Sequence, residues 1–284
     1  MTAPPVPFVR DFIPLYGQVE RLTPLIRRVL ANNPGPFTFA GTGTFLVGGG
    51  ESVAVIDPGP ADDTHLEALV AAVAGETVTH VLVTHGHADH LPLARPFAEA
   101  VGAPLLAHPA LSPDLVLMDG DRITGSGWTL EVMATPGHAP EHLAFALVEE
   151  NALFSGDHVM GWSTSVISPP EGDMDAYLDS LDRALAAGFD TLWPTHGGPV
   201  TDPLPFLKAI KAHRLGRDEQ VLKALAKGPS SALAMVPALY AAVDERLWPA
   251  AAQSLLAHLI RLERRGEVTT SEPPSATTVY QLAG

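Results

Sequence analysis

The residues best equipped for chemistry sit in one short string, Thr84-His85-Gly86-His87-Ala88-Asp89-His90, directly behind an apolar run from Val78 to Val83. Imidazole nitrogens and carboxylate oxygens are metal donors, and a site needs several of them, unprotonated, converging within about 2 Å of one cation. A turn at the end of a strand suits this because its backbone is free of ladder constraints. His85 and His87 alternate across small residues, so both can face one ion. Asp89 and His90 lie one turn further on and can face a second. The bland alternative is a solvated turn rich in histidine by chance, which the density of donors behind a buried strand argues against.

Three more donors stand in the same setting. His138 follows Val132-Met133-Ala134-Thr135-Pro136-Gly137, Asp157 follows Leu153-Phe154-Ser155-Gly156, and His196 follows Leu192-Trp193-Pro194-Thr195. Each ends an apolar run in a loop containing glycine. A lone loop histidine is usually a surface histidine. Four such donor groups have one simple joint explanation: their loops meet over one edge of the sheets.

The elements that must hold these loops alternate along the chain. Strands are predicted at Thr38–Val47, Ser52–Ile56, Val78–Val83, Pro104–Ala107, Thr129–Ala134, Leu143–Val148, Ala152–Phe154 and Thr191–Trp193. A helix should start near Thr64, where Thr64 and Glu67 have capping-box spacing, and a short one should run through Phe97 to Val101. Asp173 is a suitable N-cap for a helix carrying Tyr177, Leu178, Leu181 and Leu185, which Gly188 would end. The pattern indicates α/β layers with helices outside two sheets. From Pro203 the character changes. One or two helices to Lys227, a helix over Ala232–Ala242 and another over Leu247–Arg265 precede short strands at Glu267–Thr269 and Thr277–Gln281. Three helices and a hairpin is the order of a winged helix. The expected organisation is a flexible tail at 1–7, a catalytic domain at 8–212 and a winged-helix-like domain at 213–284.

Composition narrows the chemistry. The chain has 284 residues and no cysteine, so disulfides, thiolate zinc sites and cysteine nucleophiles are excluded and any transition metal must be held by His and carboxylates. The net charge of −15 disfavours a protein whose main business is coating nucleic acid. No apolar run spans a bilayer and the first 30 residues do not read as a signal peptide, so no membrane partner and a cytoplasmic location are expected.

With these residues in view, His85-x-His87-x-Asp89-His90 followed by His138, Asp157 and His196 resembles the metallo-β-lactamase superfamily. The resemblance implies an αββα sandwich with a site of two metals, zinc first, with iron or manganese as alternatives. It implies that His85, His87 and His138 hold the first metal, that Asp89, His90 and His196 hold the second, and that Asp157 bridges them. Further strings narrow the likeness: Asn33-Pro34-Gly35-Pro36-Phe37-Thr38, Gly41-Thr42-Gly43-Thr44, Ile56-Asp57-Pro58-Gly59, Gly161–Val166 and Pro169–Met174. Together with the C-terminal segment they are similar to the group that includes β-lactamase-like protein 2, whose animal members are regarded as endoribonucleases acting on single strands. There is also a likeness to glyoxalase II, a thioester hydrolase, although no glutathione-binding basic cluster is evident.

Two metals about 3.5–4 Å apart would share a hydroxide at neutral pH and polarise the oxygen under attack, with Asp89 orienting that hydroxide. Around this centre, Asp57 is expected either to support a ligand histidine from outside or to serve only as a turn residue. His142 and His158 are expected to pack or support. Trp162, Ser163 and Ser165 belong to a loop that could line the substrate mouth. His65, His80, His108, His213 and His258 show no partner pattern.

The leading expectation is a dinuclear hydrolase of a small-molecule ester, thioester, lactone or amide. Single-stranded RNA is the alternative substrate, and a non-enzymatic winged-helix DNA-binding protein is the third reading. From His213 onward eight basic side chains face seven acidic ones, which does not indicate strong capture of RNA. That segment is expected to shape substrate access or a homodimer contact.

Overall fold

In the strand Gly43–Gly49, Phe45 and Val47 turn one way and Leu46 the other, and this period of two recurs along the neighbouring strands. Both faces are apolar, so both must be covered, and the result is a four-layer stack. The computed structural model describes residues 5–284. Its first sheet contains β1 (Val19–Arg21), β2 (Ile26–Leu30), β3 (Gly43–Gly49), β4 (Ser52–Ile56), β5 (Val78–Leu82), β6 (Leu105–Ala107) and β7 (Leu115–Val116), paired in chain order. Pairing is antiparallel up to β4 and parallel beyond it.

The second sheet contains β8 (Arg122–Gly125), β9 (Trp128–Ala134), β10 (Leu143–Leu147), β11 (Ala152–Gly156) and β12 (Thr191–Pro194), again in chain order. Only β11 and β12 are parallel. Phe45, Ile56, Leu82, Trp128, Phe145 and Phe154 fill the space between the sheets, where each large apolar side chain contributes about 2–3 kcal/mol of burial. The indole of Trp128 donates to the carbonyl of Ser52 at 3.0 Å and so avoids an orphaned donor.

Helices α1 (Asp63–Ala72) and α2 (Ala94–Val101) cover the outer face of the first sheet through Leu69 and Phe97. Helices α3 (Met174–Ala187) and α4 (Pro203–Leu225) cover the second through Tyr177, Leu181 and Phe206. The α1 cap differs from expectation. Asp62, rather than Thr64, accepts the backbone N–H groups of Thr64 and His65. A carboxylate at this earlier position reaches the orphan donors without needing the reciprocal Glu67. Asp173 caps α3 and Gly188 ends it in the left-handed region, as expected.

Beyond α4 lie α5 (Ala232–Leu239), α6 (Trp248–Arg264) and a small sheet of β13 (Ser230–Ser231), β15 (Val279–Leu282) and β14 (Val268–Thr269), in that order. This is the winged-helix arrangement, packed on Val221, Leu225, Val236, Leu255, Leu259 and Tyr280. The boundary expected at residue 213 falls inside the single helix α4. Asp218 on α4 pairs with His258 at 2.7 Å and Arg261 at 2.6 Å on α6, a buried triad. Of the tail expected at 1–7, residues 1–4 lie outside the described residues, while Val6 packs against the helix-covered face of the second sheet. No described helix is long and apolar enough to cross a membrane.

Candidate metal centre

Each donor loop leaves the same edge of the stack, because β5, β9, β11 and β12 all end there before a turn. Gly156 allows one of these turns. Its φ of 52° is left-handed, and a Cβ there would lie 2.5 Å from Nε2 of His142, so no other residue fits immediately before Asp157.

Two donor groups result. His85, His87, His138 and Asp157 form one, Asp89, His90 and His196 the other, and within each group the ligand atoms lie within 4.8 Å of one another. Nε2 of His85 and Nε2 of His138 point at Nδ1 of His87, at 2.9 and 3.0 Å. Asp157 lies between the groups. Its Oδ2 is 3.6 Å from Nε2 of His138, and its Oδ1 is 3.3 Å from Nε2 of His196 and 3.7 Å from Nε2 of His90. Oδ2 of Asp89 is 3.1 Å from Nε2 of His196.

The far sides of the rings settle their tautomers. Nδ1–H of His138 donates to the carbonyl of Val166 at 2.6 Å, and Nδ1–H of His196 to that of Gly41 at 3.1 Å. Nδ1–H of His90 donates to Oδ2 of Asp57 at 2.8 Å. The Thr84 hydroxyl donates to the same oxygen, so it accepts from Nδ1–H of His85. Carbonyls and carboxylates only accept, so in their neutral form His85, His90, His138 and His196 turn Nε2 lone pairs inward. Nε2 of His90, Nε2 of His196 and Oδ1 of Asp157 are buried and have no hydrogen-bond partner. Lone pairs and carboxylates packed this way repel one another unless a cation lies among them, and the donor set fits divalent metal.

The electrostatics agree. Burial, then His90 and His142, holds the His85 imidazole well below its ordinary range, and burial also lowers His138, so both are neutral donors. Burial opposes charge on His90 and His196 as well, but Asp57 and Asp157 outweigh it at His90, and Asp157 and Asp89 do so at His196. Both are raised. Asp157 is pushed well below the usual carboxylate range: burial works against its charge, and His196, His90 and His138 prevail. Positive charge is therefore favoured at the point where the two groups meet.

The remaining expected residues fall into place around this centre. Asp57, fully buried with a left-handed φ of 51°, accepts from Thr84 N, the Thr84 hydroxyl, His90 and the Thr195 hydroxyl. It is a support for two donor loops, not merely a turn residue. His142 accepts the Asp157 backbone N–H at 3.1 Å and donates to the Thr135 hydroxyl. His158 turns away from the donors to face the Tyr177 ring at 5.1 Å. Trp162 and Ser163 line a cleft of about 340 Å³ that opens over His87, Asp89, His138 and Asp157. Ser165 turns inward instead and donates to the His158 carbonyl, so it does not line the mouth. Among the supports that sequence reasoning misses are Thr84 and Glu141, the second of which accepts the Gly86 N–H at 3.0 Å. Their positions, directly before the histidine string and directly before His142, are the signal that could have found them.

Burial also brings His65 and His213 down to about 4 and His158 to about 3. Unfolded imidazoles take protons near 6.5, so these folded, neutral ones contribute stability that is present above that value and lost as pH falls toward 4. The raised His90 and His196 work in the opposite sense, but their contribution is already complete below 6.5 and does not vary on the acid side. In chelator-treated protein the melting temperature should therefore drop by about 5 °C or more between pH 6.5 and 4.5. A flat profile over that window would contradict the buried neutral histidines.

Comparison with known proteins agrees with this geometry. The metallo-β-lactamase superfamily model matches residues 38–115 and 109–196, and the model of the β-lactamase associated winged helix domain matches residues 231–273. The chain belongs to the metallo-β-lactamase superfamily, as a hydrolase-fold enzyme with the associated winged helix. It is 34% identical over 227 residues to the atrochrysone carboxyl ACP thioesterase of Aspergillus chevalieri, covering 75% of this chain and 70% of that protein. It is 29% identical over 283 residues to the β-lactamase-like protein 2 homolog of Drosophila melanogaster, covering 91% and 94%. The crystal structure of a β-lactamase domain protein from Burkholderia ambifaria superposes with a TM-score of 0.83 at 25% identity, covering 96% of each chain.

Proposed function

We propose that this chain is a dinuclear metal-dependent hydrolase of thioesters or esters, with His85, His87 and His138 holding one ion, Asp89, His90 and His196 the other, and Asp157 bridging. The observation that carries the reading is the set of inward, unpartnered lone pairs at the floor of an open cleft. Nitrogen and oxygen donors suit zinc, and the same set accepts iron or manganese. A bound pair of such cations supplies Lewis acidity, acidifying water and polarising the acyl oxygen.

The chain's residues do the rest. Asp89, a quarter exposed at the cleft floor, accepts a hydrogen bond from the attacking water and orients it. Asp57, Val166 and Gly41 hold the histidine rings in register through their Nδ1–H groups. Water adds to the acyl carbon, the carbon–sulfur or carbon–oxygen bond breaks, and an acid leaves with a thiol or alcohol. The A. chevalieri thioesterase supports the thioester class.

RNA is the weaker reading. The arginines near the end of α6 are already engaged, Arg261 with Asp218 and Asp175, Arg264 with Asp173, and Arg265 with Glu267. All seven donors precede residue 213, so the winged-helix unit is assigned to substrate access or self-association. The test is turnover of purified, metal-loaded protein on N-acetylcysteamine thioesters, p-nitrophenyl esters, a lactone, nitrocefin and single-stranded RNA, with elemental analysis in parallel. We expect about two metals per chain and chelator-sensitive thioester or ester hydrolysis exceeding any cleavage of RNA. Protein that keeps no metal after reconstitution, or that cuts RNA alone, overturns the proposal.

A further inference from the structure

We propose that the cleft selects an uncharged acyl group with an extended apolar chain, and that Trp162 is the residue that measures it. The inference rests on the hydrolase reading above and specifies its substrate.

Next to the donors the cleft wall carries a large apolar surface from Phe37, Met160, Trp162 and Val166, interrupted by the uncharged hydroxyl residues Ser163, Thr164 and Ser168. Trp162 is held as a rigid platform. Its ring stacks on Phe39 with centroids 4.9 Å apart and planes 13° apart. Phe39 in turn meets Phe12 at 6.3 Å, and the Arg28 guanidinium lies 4.7 Å over the Phe12 ring. The backbone on either side of the ring is tied down too, since Val9 N–H donates to Gly161 O at 2.8 Å and Arg10 donates to Trp162 O at 3.3 Å. A platform fixed before binding loses little entropy when a chain packs on it.

The wall and the donors form one piece, because the carbonyl of Val166 orients the ring of His138. An acyl group lying along Trp162 therefore has its carbonyl delivered toward His138 and Asp157 at a fixed distance.

Charge defines the rest of the class. Apart from the donors Asp89 and Asp157, the one charged residue on the cleft wall is Glu171, and among the described residues no Lys or Arg lines it. A carboxylate or phosphate at the far end of the acyl chain would meet Glu171 with no cation to offset it. Selection by chain length is instead set by apolar burial, about four-fold per methylene.

The experiment uses full-length, metal-loaded protein and N-acetylcysteamine thioesters of acetyl, butyryl, hexanoyl, octanoyl and adipoyl groups. In the parent protein kcat/KM should climb about four-fold per methylene until the cleft is filled, and the adipoyl thioester should fall at least about ten-fold below the hexanoyl one. Trp162→Ala should flatten the series, lowering the octanoyl value at least about ten-fold more than the acetyl value. Trp162→Phe should recover part of the slope, and Glu171→Gln should narrow the adipoyl deficit. Turnover without chain-length dependence, or Trp162→Ala and Trp162→Phe lowering acetyl and octanoyl alike, overturns this inference and leaves the hydrolase reading standing. No turnover of any thioester or ester overturns both.

Discussion

Asp157→Ala is expected to lower kcat/KM of the metal-loaded enzyme by at least about 1,000-fold, equivalent to about 4 kcal/mol of transition-state stabilisation. One carboxylate reaches both donor groups, through Oδ2 toward His138 and Oδ1 toward His90 and His196. In the proposed dinuclear centre, its removal would take away the negative charge that lets two cations lie close together. The fold should survive, because the backbone N–H that binds His142 is kept and Gly156 is untouched. Metal content should fall from about two per chain toward one or none. Asp157→Asn, which keeps the shape and one oxygen but loses the charge, should lie between the two. Full metal content with activity within about ten-fold of the parent would remove Asp157 from the bridging role.

The second large effect is on stability and lies far from the chemistry. Asp218→Ala should cost about 3 kcal/mol in equilibrium urea unfolding, at the lower end of what breaking a buried ion pair costs. Asp218 accepts from His258 through one oxygen and from Arg261 through the other, all three nearly buried, and so joins α4 to α6. Deleting the carboxylate leaves a buried guanidinium with Asp175, 2.8 Å away, as its remaining partner. That half-exposed partner keeps the cost from being higher. Asp218→Asn, which can still accept a hydrogen bond, should lose less. A loss below about 1 kcal/mol for the alanine variant would mean that the triad does not join the winged helix to the catalytic layers.

These variants probe two kinds of dependence on the chain. The Asp157 site depends on four loops that converge because their strands end at one edge. The Asp218 triad depends on one helix, α4, running unbroken from the sandwich into the winged helix, where Val221 and Leu225 join the winged-helix core.

Much of the donor pattern is legible in the sequence, because its signals are local. Histidines alternating with small residues, a glycine before Asp157 and an Asp cap before α3 all act within a turn or two of chain, where neighbours in sequence are neighbours in space. The apolar alternation that builds β3, β4 and β9 is equally local. β1 and β2 escape a reading of the sequence for the opposite reason. Arg27 and Arg28 make that stretch look exposed, yet both are buried, because Glu76 and Glu20 neutralise them and Arg28 also donates to Gly197. Whether Asp57 supports a ligand or merely turns the chain is equally open in the sequence. Its partners, Thr84, His90 and Thr195, lie up to 138 residues away. The inward turn of Ser165, the pairing of His258 with Asp218 and, among the described residues, the absence of Lys and Arg from the cleft wall are likewise products of long-range packing. The sequence by itself determined which residues could donate to a metal and at which strand ends they stand. Only the tertiary structure decided which far-removed carboxylates and carbonyls orient them and what kind of surface surrounds them, because a hydrogen bond or an ion pair depends on distance in space, and pairing across the layers brings together groups that the chain keeps far apart.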